Sequence, residues 1–151
     1  MIRTLACALA CAILLAGCGG SGALSGDQLR SRATALCSSA GRQTDRIPTP
    51  PTPDGGEAFL RRGIAVLEPE FKGLKKLKAP SELAQVYATG LGAFNQKLNA
   101  LKSAVRQLGS GANPVTAMTD LQQRLAPIET AEDGAWQALE VPSCMNRRST
   151  P

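Results

Sequence analysis

The chain has 151 residues and a formal charge of +5, from 17 Lys and Arg against 12 Asp and Glu, which is enough for one domain and not for a second full core. Hydrophobic residues make up 43% and aromatic residues 3%, a balance too apolar for a disordered chain and too poor in aromatic side chains for a β-sandwich or barrel. Histidine is absent, which removes the commonest general base, metal ligand and haem ligand together.

Residues 1–17 read as an export signal, separate from the folded domain. Arg3 gives a positive start, and Leu5 to Ala16 form an apolar run too short for the ~20-residue helix that crosses a bilayer. The run ends in Leu15-Ala16-Gly17-Cys18, where small residues let the backbone enter a protease cleft ahead of a nucleophilic thiol. At these positions the sequence resembles the lipobox of bacterial lipoproteins. The resemblance implies that Cys18 carries a diacylglyceryl group, with acyl chains such as palmitate, and that a signal peptidase cuts before it. Each lipid CH₂ in the bilayer is worth ~0.8 kcal/mol, so two chains hold a protein on the membrane. The implied location is the extracytoplasmic side of the cell membrane.

On that reading Cys7 and Cys11 leave with the signal and Cys18 is taken by lipid, so only Cys37 and Cys144 remain. An exported pair in an oxidising compartment most simply forms one disulfide. Chain-entropy estimates give about 4–5 kcal/mol for so long a loop. Two free thiols, or a Cys–Cys metal site short of partners, are the alternatives.

Residues 18–26 are expected to be a Gly/Ser-rich tether, residues 27–144 the domain, and residues 145–151 a mobile tail containing Arg147 and Arg148. The spacing predicts a first helix from Asp27, as N-cap, to Ile47, with Leu29, Ala33, Leu36, Cys37 and Ala40 on one side. The run from Pro48 to Pro53 ends it and favours a stiff extended connector. Asp54-Gly55-Gly56-Glu57 has capping-box spacing and is expected to open a second helix through Leu60, Ile64, Leu67, Phe71, Leu74 and Leu77, with a kink or break at Pro69. Pro80 is placed at the first position of a third helix, whose seam runs Leu83, Tyr87, Leu91, Phe94, Leu98, Leu101, Val105 and Leu108. Gly109-Ser110-Gly111 stops it. Asn113 and Pro114 start a fourth helix carrying Met118, Leu121, Leu125, Ile128, Ala135 and Leu139, with a kink expected at Pro127.

Four helices joined by short turns predict an all-α, antiparallel up-down four-helix bundle, closed by the Cys37–Cys144 disulfide if the last segment folds back over the first helix. Ala-Leu-Cys at 35–37, Leu-Lys-Ala-Pro at 77–80 and Pro-Ser-Cys at 142–144 make the pattern similar to small helical lipoproteins of actinobacteria and their relatives. That similarity supports the fold and implies no chemistry.

Few constellations offer chemistry. Arg61, Arg62, Lys72, Lys75, Lys76 and Lys78 cluster on the second helix. Lys72, Lys75, Lys76 and Lys78 are candidates for contact with an anionic membrane surface, where each cation is worth ~1 kcal/mol. The competing reading is a solvated face paired with Glu129, Glu132 and Asp133 of the fourth helix. Glu68 with Glu70, and Glu132 with Asp133, are too close in sequence to converge on one bond and read as surface charges. Phe59, Phe71, Tyr87, Phe94 and Trp136 read as core filling, while Gly90 and Gly92 admit a close helix or leave room for a ligand. No nucleophile elbow, phosphate loop or metal-ligand spacing occurs, so no catalytic residue, metal or cofactor is assigned. Export and sparse aromatics argue against nucleic acid. The expectation is a membrane-anchored, non-catalytic binding or scaffolding module. Its partners are the membrane, through Cys18, and another envelope protein. A carrier of a small apolar ligand is the alternative, and an envelope hydrolase a more distant one.

Overall fold

A computed structural model of the chain describes residues 22–146. The signal at 1–17, the lipobox with Cys18 and the tail from residue 147 lie outside the described residues. Four helices account for most of what is described: α1 (Gly26–Thr44), α2 (Gly56–Lys76), α3 (Ala84–Gly109) and α4 (Pro114–Ala138). Short 3₁₀ turns at Pro53–Gly55 and Pro142–Cys144 complete the order, and no strand occurs among the described residues. Successive helices run antiparallel: Leu74 of α2 lies by Tyr87 near the start of α3, and Gly90 of α3 lies against Trp136 near the end of α4. The fold is the expected all-α up-down bundle, closed by a Cys37–Cys144 disulfide with its Cα atoms 5.0 Å apart.

Several helix ends differ from the sequence expectation. Ser25, one residue before the helix and two before Asp27, caps α1. Its hydroxyl accepts from Gln28 N (3.2 Å), while the Gln28 side chain accepts from Ser25 N (3.1 Å), a complete capping box. Asp27 instead sits in the first turn and pairs with Arg30 at 3.2 Å. The helix stops at Thr44, and Ile47 lies in the tight turns that lead into the prolines. Asp54 does not cap α2, because Pro53 starts a 3₁₀ turn that contains Asp54 and leaves Gly55 at the N-cap. Pro80 likewise opens a tight turn ahead of α3, which begins at Ala84. Asn113 caps α4 as expected, its side chain accepting from Thr116 N at 3.1 Å. Pro69 and Pro127 lie inside α2 and α4, which run unbroken through them. Both prolines are on the solvent side, where water can take the carbonyl that loses its helical donor.

Two apolar clusters make the core. The larger joins Leu29, Ala33 and Cys37 of α1 to Leu74, Tyr87, Phe94, Leu98, Trp136, Leu139, Val141 and Cys144. Trp136 is fully buried and meets Tyr87 edge-on at 5.9 Å, and the Tyr87 hydroxyl donates to Leu74 O at 2.7 Å. Gly90 makes room for the indole, since a methyl group there would stand 3.4 Å from it; Gly92 faces open space. Gly73 lets α1 and α2 approach, because a Cβ on it would come within 2.9 Å of Leu36. Phe59 and Phe71 are partly buried against the core, so all five aromatics fill it. The smaller cluster, Leu60, Ala104, Val105 and Leu121, joins α2, α3 and α4.

The C-terminal segment turns back sharply. Glu140 takes the left-handed conformation (φ 59°), with Glu140 N–H donating to Gln137 O (3.0 Å) and Val141 N–H to Trp136 O (2.9 Å). Arg30 of α1 seals the corner by donating to Leu139 O (3.1 Å) and pairing with Glu140 (3.1 Å). The Pro142–Cys144 turn then lies on α1, where the disulfide fixes it.

Candidate functional site

Because α1 packs chiefly on α2 and on the C-terminal turn, it does not close the bundle along α4. The space left beside its last turns is a cleft of about 460 Å³. Ala40, Gly41 and Thr44 of α1, Ile47 and Thr49 of the connector, and Ser143 to Asn146 form its sides. Phe59, Leu67 and Glu70 of α2, Phe94 and Lys97 of α3, and Glu132 of α4 form the rest, and the disulfide stands in its wall. Volumes of roughly 300–1,000 Å³ are typical of small-molecule sites.

A charged network lies at the floor. Lys97 Nζ donates to Glu132 Oε2 at 2.6 Å and to Asn146 Oδ1 at 2.8 Å, and stands 4.7 Å from the centre of the Phe94 ring. Asn146 Nδ2 donates to Glu132 Oε2 and to Asp133 Oδ1, both at 3.0 Å, and its backbone N–H donates to Asp133 at 2.6 Å. Glu132 is 1% exposed and Lys97 9%. Two charges so deep are tolerable only when paired and hydrogen-bonded, and Asn146 supplies the added bonds. Half-buried Glu70 faces the same cleft, and its carboxyl is pushed up to about 7. Burial is the main cause; Lys97 opposes the shift and the Glu132 carboxylate adds to it.

These positions correct the sequence reading. Glu132 and Asp133 are buried and bind Lys97 and Asn146, so they are neither surface charges nor partners of the α2 lysines. Glu68 and Glu70 do diverge as expected, but only Glu68 behaves as a surface charge. It pairs with Lys102 of α3 at 2.6 Å, and that hydrogen bond holds its carboxyl below the usual range. Asn146, assigned to the mobile tail, anchors the network, and Leu24 of the tether packs on the core with its N–H donating to Lys78 O at 2.9 Å. Cys37 and Cys144 are together in the cleft wall. Lys72, Lys75, Lys76 and Lys78 are exposed along the last turns of α2 and the turn after it, and line no part of the cleft.

The arrangement suits recognition. Phe59, Leu67 and Met145 line the cleft together with Glu70 and the compensated Lys97–Glu132 pair, so it offers both apolar and polar contacts. Among the described residues, no group of three or more Cys, Asp and Glu stands where it could hold a metal ion, and no helix is long and apolar enough to cross a membrane. Comparison with protein-family models, curated proteins and solved structures finds no match to this chain.

Proposed function

We propose that this protein is a lipid-anchored component of the cell envelope, held on the extracytoplasmic face through Cys18, and that it works by non-catalytic binding. The Leu15-Ala16-Gly17-Cys18 motif supports the location. The observation that carries the binding role is the disulfide-walled cleft, in which Lys97 is tied to Glu132 and Asn146, with Glu70 facing the same space. The tied groups are held rigid, and a preformed rigid wall lowers the ordering cost of a partner. The favoured partner is another envelope protein. A photo-crosslinker at Thr49 or Met145, in intact cells, is expected to capture one reproducible neighbour that the same probe at Gln123 does not. Capture of nothing from the cleft positions, or of the same species from Gln123, contradicts the reading.

Phe59, Leu67 and Met145, the partly exposed apolar side chains of a cleft that also carries polar and charged groups, support a second reading, a carrier of a small apolar ligand. Gently purified protein should then carry added mass that is lost on denaturation. Protein that is always free of such mass excludes this role.

A further inference from the structure

The described chain enters the bundle beside a group of exposed lysines. Leu24 N–H donates to Lys78 O at 2.9 Å, Leu24 packs on the core, and Gly22 lies against the Lys78 side chain, whose Nζ would stand 3.3 Å from a methyl group placed on that glycine. Lys72, Lys75 and Lys76 share one face of α2, being three and four residues apart, and all are exposed with Lys78. Gly22 is four residue steps from Cys18, a reach of at most about 14 Å. An anchor at Cys18 therefore holds this end of the bundle within about a Debye length or two of the headgroups, a range over which surface charge is felt. The nearby acids do not cancel the lysines. Asp27 and Glu140 share the single charge of Arg30 and leave one carboxylate charge over, and exposed Glu82 adds another. Glu68, one turn before Lys72, is paired with Lys102, so the four lysines outnumber the acids left over. Two of the α4 carboxylates weighed against the lysines are spent inside, Glu132 on Lys97 and Asp133 on Asn146.

We propose that Lys75, Lys76 and Lys78, with Lys72 behind them, dock this end of the bundle on an anionic lipid surface. The proposal rests on the lipoprotein reading, which sets how close the surface is. Docking fixes the orientation of the domain. The α2–α3 turn and the start of α1 face the bilayer, while the turn between α3 and α4 points away from it.

The test uses the full chain purified from membranes and set in nanodiscs of phosphatidylcholine with or without phosphatidylglycerol. Acylation rates of individual lysines are read by mass spectrometry. Lys75, Lys76 and Lys78 are expected to react about fivefold more slowly in the anionic discs, the factor expected when a cation sits at such a surface. Lys102, on α3, should be unchanged. Molar salt, which cuts the screening length to about 3 Å, should restore the rates, and the triple variant K75Q/K76Q/K78Q should leave the rate of Lys72 indifferent to lipid charge. Equal rates in the two discs overturn the proposal. So does slowing that persists in phosphatidylcholine at molar salt, which would mark contact between copies of the chain. The intact mass of the same sample reports separately on the lipid at Cys18. If no lipid is there, the anchoring reading falls, and the rates are measured with anionic vesicles added to the unlipidated chain. Slowing then upholds the lysine surface, and no slowing overturns it.

Discussion

The Lys97–Glu132 pair is the most consequential contact at the scale of single residues. Replacing either partner by alanine strands a buried charge, a loss of about 3–5 kcal/mol, whereas exchanging both for apolar residues of similar volume is often neutral. Denaturant unfolding should therefore show Lys97→Ala and Glu132→Ala each destabilised by that amount, with Lys97→Met/Glu132→Leu recovering most of the loss. Equal destabilisation by the single and double variants would contradict the pairing. Glu70 gives a second test, through pH. Its carboxyl is raised to about 7, so the folded state holds a proton that the unfolded chain has already released above its ordinary value of 4.5. Its effect is absent at low pH, grows unfavourably between about pH 4.5 and 7, and is constant above. Glu70→Gln, which leaves Lys97 and Glu132 facing a neutral amide, should raise stability at pH 8 by about 1–2 kcal/mol, discounted for its half-exposed position, and change nothing at pH 4. A constant difference at both pH values would contradict the shift.

Part of this site was legible in the sequence. Leu121, Leu125, Ile128, Ala135 and Leu139 step along the α4 seam, and Glu132 falls on that same seam between Ile128 and Ala135. A carboxylate there signals a buried partner, and Lys97 sits beside Phe94 and Leu98 on the α3 seam. What one-dimensional spacing does not carry is the folding back of residues 140–146. Asn146 reaches Glu132 and Asp133 because Glu140 adopts a positive φ, a conformation that glycine normally signals.

At the scale of elements, the seams of Leu, Ala and aromatic residues marked the number and approximate length of the helices, because burial of an apolar stripe is a property of each helix alone, and the short turns between them set the antiparallel order. The ends depended on competition between adjacent caps. Ser25 displaced Asp27 because Gln28, three residues on, could return the hydrogen bond. Asp54 lost its role because the proline before it set a 3₁₀ turn. Thermal or denaturant unfolding should separate the two. Ser25→Ala is expected to lose about 1 kcal/mol, and Asp54→Ala to stay within about 0.5 kcal/mol of wild type. A larger cost at Asp54 than at Ser25 would reverse the assignment.

At the scale of the whole molecule, the disulfide closes a loop of 107 residues and fixes the wall that carries Asn146 to the charged floor. Cys37→Ser/Cys144→Ser is expected to lose about 2–5 kcal/mol, seen as a lower denaturation midpoint. Hydrogen exchange should show the loss of protection concentrated at Val141 to Asn146, and uniform loss over all four helices would contradict a local clamp. On the proposed lipoprotein reading, in which Cys7 and Cys11 leave with the export signal, the pairing leaves Cys18 as the last cysteine. The intact mass of protein taken from the membrane fraction joins these statements in one number. It is predicted to correspond to a chain beginning at Cys18, increased by a diacylglyceryl group and diminished by the two hydrogens of one disulfide. A mass that retains residues 1–17, or that shows Cys18, Cys37 and Cys144 all as free thiols, would contradict it.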